Sequence, residues 1–62
     1  MKGYYRQVAD LLTQAGYWYL RQGKGSHEIW TNGKHTQTVP FNCESRHTAN
    51  AILKSCGIKA KL

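Results

Sequence analysis

Acidic side chains are scarce in this 62-residue chain: three Asp and Glu stand against nine Lys and Arg, a formal charge of +6. So few carboxylates leave little to ligate a divalent cation, and any chemistry here is expected to proceed without a metal. Long apolar runs are missing too. The longest candidate, Ala15 to Leu20, is far short of the roughly 20 residues that cross a bilayer. Met1-Lys2 leads into Gly3-Tyr4-Tyr5-Arg6 rather than an apolar signal core, so a cytoplasmic location and no membrane partner are expected. With one Pro and six scattered Gly the composition is that of a folded unit, not a disordered basic tail.

Cysteine is limited to Cys43 and Cys56. Two thiols in a reducing compartment are expected to stay free. A zinc site built on Cys43, His47 and Cys56 lacks the usual second close pair and would need His27 or His35 from far along the chain. No metal and no cofactor are therefore expected. The length itself bounds the architecture, because a domain of roughly 60 residues buries only about 60% of its unfolded surface and cannot divide that core. Residues 1–62 should form one domain, monomeric when free.

What is abundant is positive charge, which attracts polyanions by steering and counterion release. It is spread along the chain: +1 from Lys2, Arg6 and Asp10, +2 from Arg21, Lys24, Lys34 and Glu28, and +3 from Arg46, Lys54, Lys59, Lys61 and Glu44. No segment is a dedicated basic arm.

Tyr5, Val8, Leu11, Leu12 and Ala15 recur at three- and four-residue steps, which predicts a helix over Lys2 to Ala15 ended by Gly16. Tyr17 to Arg21 reads as a strand closed by Gln22-Gly23-Lys24-Gly25, and Ser26 to Thr31 as a second strand. Asn32-Gly33 is a hairpin signal in which both residues tolerate positive φ. His35 to Val39 then forms a third strand, and Pro40 ends it. Ser45 is placed to cap a last helix over Arg46 to Cys56, with Ala49, Ile52, Leu53 and Cys56 on one stripe and Gly57 and Ile58 at its close. The expected fold is α+β: helix, three-stranded antiparallel sheet, helix, with both helices on one face.

Gly25-Ser26-His27 at the second strand, Thr38-Val39-Pro40 at the close of the third, and Thr48, Ile52-Leu53-Lys54 and Gly57-Ile58 in and after the last helix together resemble the HicA toxins of bacterial toxin–antitoxin pairs. The resemblance covers nearly the whole chain. It implies a fold like the double-stranded RNA-binding domain, an endoribonuclease that cleaves mRNA, and neutralisation by a HicB-type antitoxin. It also implies that the catalytic histidine is His27. The stretch from Asn42 to His47 departs from the family's Lys-Pro-Gly type of lead into the helix, so no binding role is carried over to it.

Independently of that resemblance, an imidazole with an ordinary pKa of about 6.5 suits proton transfer from a 2′-hydroxyl near neutral pH, although an ordinary half-exposed histidine at a strand start is the commoner role for such a residue, and it is the resemblance that reverses that order. Lys24, Arg21 and Lys34 lie close in the meander as candidate phosphate contacts. His35, Arg46, His47 and Lys54 are also cationic or titratable, and an ordinary solvated role is the commoner one for all seven of these residues. Strand alternation leaves the placement of His27 open. If Ile29 is the core residue, His27 faces the helices; if Trp30 is, it lies on the free face. Alternation likewise divides the aromatics, with Trp18 and Leu20 on one face and Tyr17 and Tyr19 on the other. Two other functions fit the same residues: a non-catalytic RNA-binding module, and a protein-binding element covered by an acidic partner.

Overall fold

A computed structural model describes residues 3–62. In chain order it contains helix α1 (Tyr5–Gln14), strands β1 (Trp18–Gln22), β2 (His27–Thr31) and β3 (Thr36–Pro40), and helix α2 (Arg46–Ser55). The strands form one antiparallel sheet in the order β1-β2-β3. Both helices cover a single face of it, as the sequence pattern predicts. Among the described residues no helix is long and apolar enough to cross a membrane.

The helix boundaries follow from local chemistry. Lys2, where α1 was expected to begin, lies outside the described residues; Gly3 takes a φ of +127°, and the Tyr4 N–H donates to the Cys43 carbonyl at 2.6 Å, so the helix begins only at Tyr5. Its far end is closed by Gly16 and Tyr17, whose N–H groups donate back to Thr13 and Leu12. Gly57 and Ile58 repeat the same pair of bonds on Lys54 and Leu53 at the end of α2. Both pairs are Schellman closures, which satisfy carbonyls that the helix leaves without partners. At the start of α2 the Ser45 hydroxyl accepts from the Thr48 N–H at 3.3 Å, the expected cap.

Val8 and Leu12 from α1, Trp30 and Val39 from the sheet, and Ala49, Ile52 and Leu53 from α2 form the core with Tyr17 and Cys43. Each fully buried aliphatic side chain contributes roughly 1.5–3 kcal/mol. Tyr17 closes one end of this core, its ring edge-on to His35 with centroids 6.1 Å apart. Cys43 and Cys56 are free thiols at opposite ends of α2, and burial pushes both above the ordinary thiol range. Among the described residues no group of three or more His, Cys, Asp and Glu is arranged to hold a metal ion.

Three strand details depart from the expected pattern. The second hairpin is a four-residue connection in which only Gly33 has positive φ. Asn32 acts through its side chain instead, its Oδ1 accepting from the Lys34 N–H at 2.9 Å and the His35 N–H at 2.7 Å. Next, β3 begins one residue later than expected and retains Pro40, which an edge strand tolerates. Finally, β1 carries a bulge at Leu20, since Tyr19 pairs with Trp30 and Arg21 with Ile29. Trp18 and Leu20, both 49% exposed, are left at the surface.

Trp30 is the residue that orients the sheet. It is 7% exposed, so the β2 face bearing Glu28 and Trp30 meets the helices, and the face bearing His27 and Ile29 does not. Among the described residues, Glu28 is the only acid on the covered face. Its Oε1 accepts from the Tyr5 hydroxyl at 2.6 Å and from the Trp30 Nε1–H at 3.1 Å, which ties α1 to β2 beside His27. Glu28→Ala leaves both donors without an acceptor in a part-buried place and should lower unfolding free energy by about 1–3 kcal/mol in denaturant titration, with Glu28→Gln losing less.

Burial, then the hydrogen bond to Glu28 and its charge, push the Tyr5 phenol up to about 12. The folded state therefore holds that proton more tightly than the unfolded chain, where a tyrosine ionises near 10. This contribution is complete below pH about 10 and is lost as pH rises through about 12. A stability–pH profile of Tyr5→Phe should accordingly fall less steeply over that alkaline window than that of the parent.

Candidate active site

The chain between β1 and β2 is shaped to present His27. Gly25 takes a φ of +60°, a left-handed turn that side chains resist, and a Cβ on Gly23 would stand 3.1 Å from the His27 carbonyl and 3.2 Å from Ile29. Gln22 binds the turn across its width: its Nε2 donates to the Gly25 carbonyl at 2.9 Å and to the His27 carbonyl at 3.1 Å. The Phe41 N–H donates to the Ser26 carbonyl at 2.7 Å, anchoring the turn to the end of β3.

Within that frame the Lys24 carbonyl accepts twice from His27, from its backbone N–H at 3.1 Å and from its ring Nδ1 at 3.0 Å. A carbonyl oxygen only accepts, so Nδ1 carries a proton. In the neutral ring the lone pair is then on Nε2, the far side of an exposed side chain. That is the arrangement of an oriented base. Once protonated, the same nitrogen becomes an oriented acid.

Around His27 the free face of the sheet is built in rows. Gly23 and Pro40 flank it, and the next row holds Arg21, Ile29 and Thr38. Arg21 reaches this face through the bulge. In an unbroken strand Tyr19 and Arg21 would share a side, but Tyr19 opposes Trp30 on the helix face while Arg21 opposes Ile29 on the free one. Arg21 is thereby diagonal to His27, within reach for a long side chain. Lys24 stands in the turn itself, exposed, its carbonyl on the histidine.

The other cations lie elsewhere. Lys34 and His35 belong to the opposite hairpin, beyond the four residue steps of β2, roughly 13 Å along the strand. His35 is half-buried against Tyr17 with its Nε2 unpartnered, at the wrong end of the sheet to share a reaction with His27. Arg46 and His47 are exposed on the first turn of α2. The site therefore gathers His27, Lys24 and Arg21 and leaves Lys34 apart.

Sequence reasoning overlooked Gln22 and Glu28, the two side chains that fix the position of the β1–β2 turn and of β2. A trace of Glu28 was available: once Trp30 is taken as core, alternation puts this acid on the same covered face, where a buried carboxylate requires donors.

Comparison with curated proteins and with solved structures gave no match. Comparison with protein families gave the family described as the HicA toxin of bacterial toxin–antitoxin, matched over residues 5–58 of the 62. That span takes in both helices, the whole sheet and the turn that holds His27. The chain belongs to the HicA toxin family of bacterial toxin–antitoxin systems.

Proposed function

We propose that this toxin is an endoribonuclease acting on mRNA in the cytoplasm, with His27 as its proton-transfer group and a HicB-type antitoxin as its inhibitor. The observation that carries the reading is the His27 ring, held through Nδ1 on the Lys24 carbonyl with Nε2 free on an uncovered face. In the proposed step Nε2 accepts the proton of a 2′-hydroxyl. The 2′-oxygen bonds to the adjacent phosphorus, and the P–O5′ bond breaks as the 5′-oxygen takes up a proton from water, the hydroxide so formed taking the proton that Nε2 had accepted. The products are a 2′,3′-cyclic phosphate and a 5′-hydroxyl. Negative charge builds on the phosphate during this step, and Lys24 and Arg21 are the cations beside it. Lys34, on the far hairpin, would meet a phosphate farther along the strand. An antitoxin silences such an enzyme by covering the His27 face.

The scarcity of acids supports a metal-free route: Asp10, Glu28 and Glu44 are the only carboxylate side chains, and that of Glu28 is occupied by Tyr5 and Trp30. The experiment is cleavage of RNA by purified wild type and His27→Ala, both in a chelator and after a circular-dichroism check of folding. Wild type should cut, and His27→Ala should be about 10²–10⁴-fold slower. Cleavage retained by the variant would overturn the role of His27, and RNA bound without cleavage by wild type would make the chain a non-catalytic RNA-binding module.

A further inference from the structure

We infer that the groove between α2 and the C-terminal residues holds the sugar–phosphate backbone of the RNA at a distance from His27, an inference that rests on the ribonuclease reading above. Lys54, Lys59 and Lys61 line this groove together with His47, and no acidic side chain does. Three of the chain's nine Lys and Arg residues are thus gathered in one concave place.

The tail that brings two of these lysines is fastened down. The Leu62 N–H donates to the Asn50 Oδ1 at 2.8 Å, and the Asn50 Nδ2 donates to the Leu62 carbonyl at 3.5 Å. Between Gly57 and that clasp the residues alternate, with Ile58, Ala60 and Leu62 half-buried and Lys59 and Lys61 exposed. A loose basic tail would spread its charges into solvent. This one is packed along its apolar side so that its lysines share a groove with Lys54, a concentration of positive charge that attracts a polyanion.

The lining also selects the kind of polyanion. Ala51, Gly57 and Ala60 provide small walls, and the groove offers no Trp, Tyr or Arg of the kind that anchors a protein partner. Lysine is depleted from protein–protein interfaces but suits phosphate as a mobile point charge. A polynucleotide backbone, charged at every residue and tolerant of sequence, fits these walls better than an acidic peptide. The groove lies on the outer side of α2, away from the core face of Ala49, Ile52 and Leu53, and hence off the sheet face that carries His27. It would hold flanking RNA and not the scissile bond.

The test measures affinity for a fluorescent single-stranded RNA over a salt series, in a His27→Ala background that prevents cutting. Lys59→Gln/Lys61→Gln is compared with Arg6→Gln/Arg46→Gln, a pair of equal charge outside the groove. The groove pair should weaken binding about tenfold and reduce the salt slope by about 1.4, the value for two single-strand phosphate contacts; the control pair should change both far less. Asn50→Ala, which unfastens the tail without altering charge, should also weaken binding. Equal losses from the two double variants would reduce the groove to bulk charge and overturn the inference. So would unchanged RNA affinity with lost antitoxin binding, which would assign the groove to a protein. If the His27→Ala parent binds no RNA at all, the ribonuclease reading itself fails, a result distinct from either.

Discussion

Trp30 is buried in the core that the sheet shares with both helices, and its burial decides the remainder of the molecule. An indole of that size cannot be returned to solvent cheaply, and its N–H requires an acceptor once inside, which Glu28 supplies at 3.1 Å. Because strand side chains alternate with a period of two, anchoring position 30 inward leaves no choice at position 27. A slip of one residue would bury His27 and expose Trp30, losing the largest apolar side chain of the core. The face on which His27 lies is therefore specified from the opposite side of the sheet by packing that never touches it.

On the free face, irregular features of the backbone assemble the candidate site. The turn through Gly23 and Gly25 lets the Lys24 carbonyl meet both donors of His27, and the bulge at Leu20 brings Arg21 round to the same side. Regular strands would have produced neither. Bulges and glycine turns recur beside functional sites because they redirect single side chains while the surrounding ladder stays intact. A domain this small holds a sparse site, and Lys24 and Arg21 come to it through such local departures.

Much of this was legible in the chain. Val8 and Leu12, Ala49, Ile52 and Leu53 announce their helices by spacing, and Ser45, Gly16 and Gly57 mark ends at which the expected hydrogen bonds are made. The face of His27 was not legible, because Ile29 and Trp30 are both apolar and only packing against α1 and α2 chooses between them. Nor was the side of Arg21, since nothing in Trp-Tyr-Leu-Arg-Gln signals a bulge. Lys34 misleads for another reason: it is seven residues from His27 in sequence, yet successive hairpin turns of a meander lie at opposite ends of the sheet. Asn32 shows a subtler gap, a residue suited to positive φ that instead closes its turn with a side-chain oxygen.

The proposed chemistry depends most on the state of one imidazole. A nitrogen-resolved NMR spectrum of the His27 ring, recorded at mildly alkaline pH with and without a 2′-deoxy substrate analogue that cannot be cut, reads that state directly. The expected result is a proton on Nδ1, a bare Nε2, and a shift at Nε2 when the analogue is added. A neutral ring protonated on Nε2, or an Nε2 signal indifferent to the analogue, would contradict it.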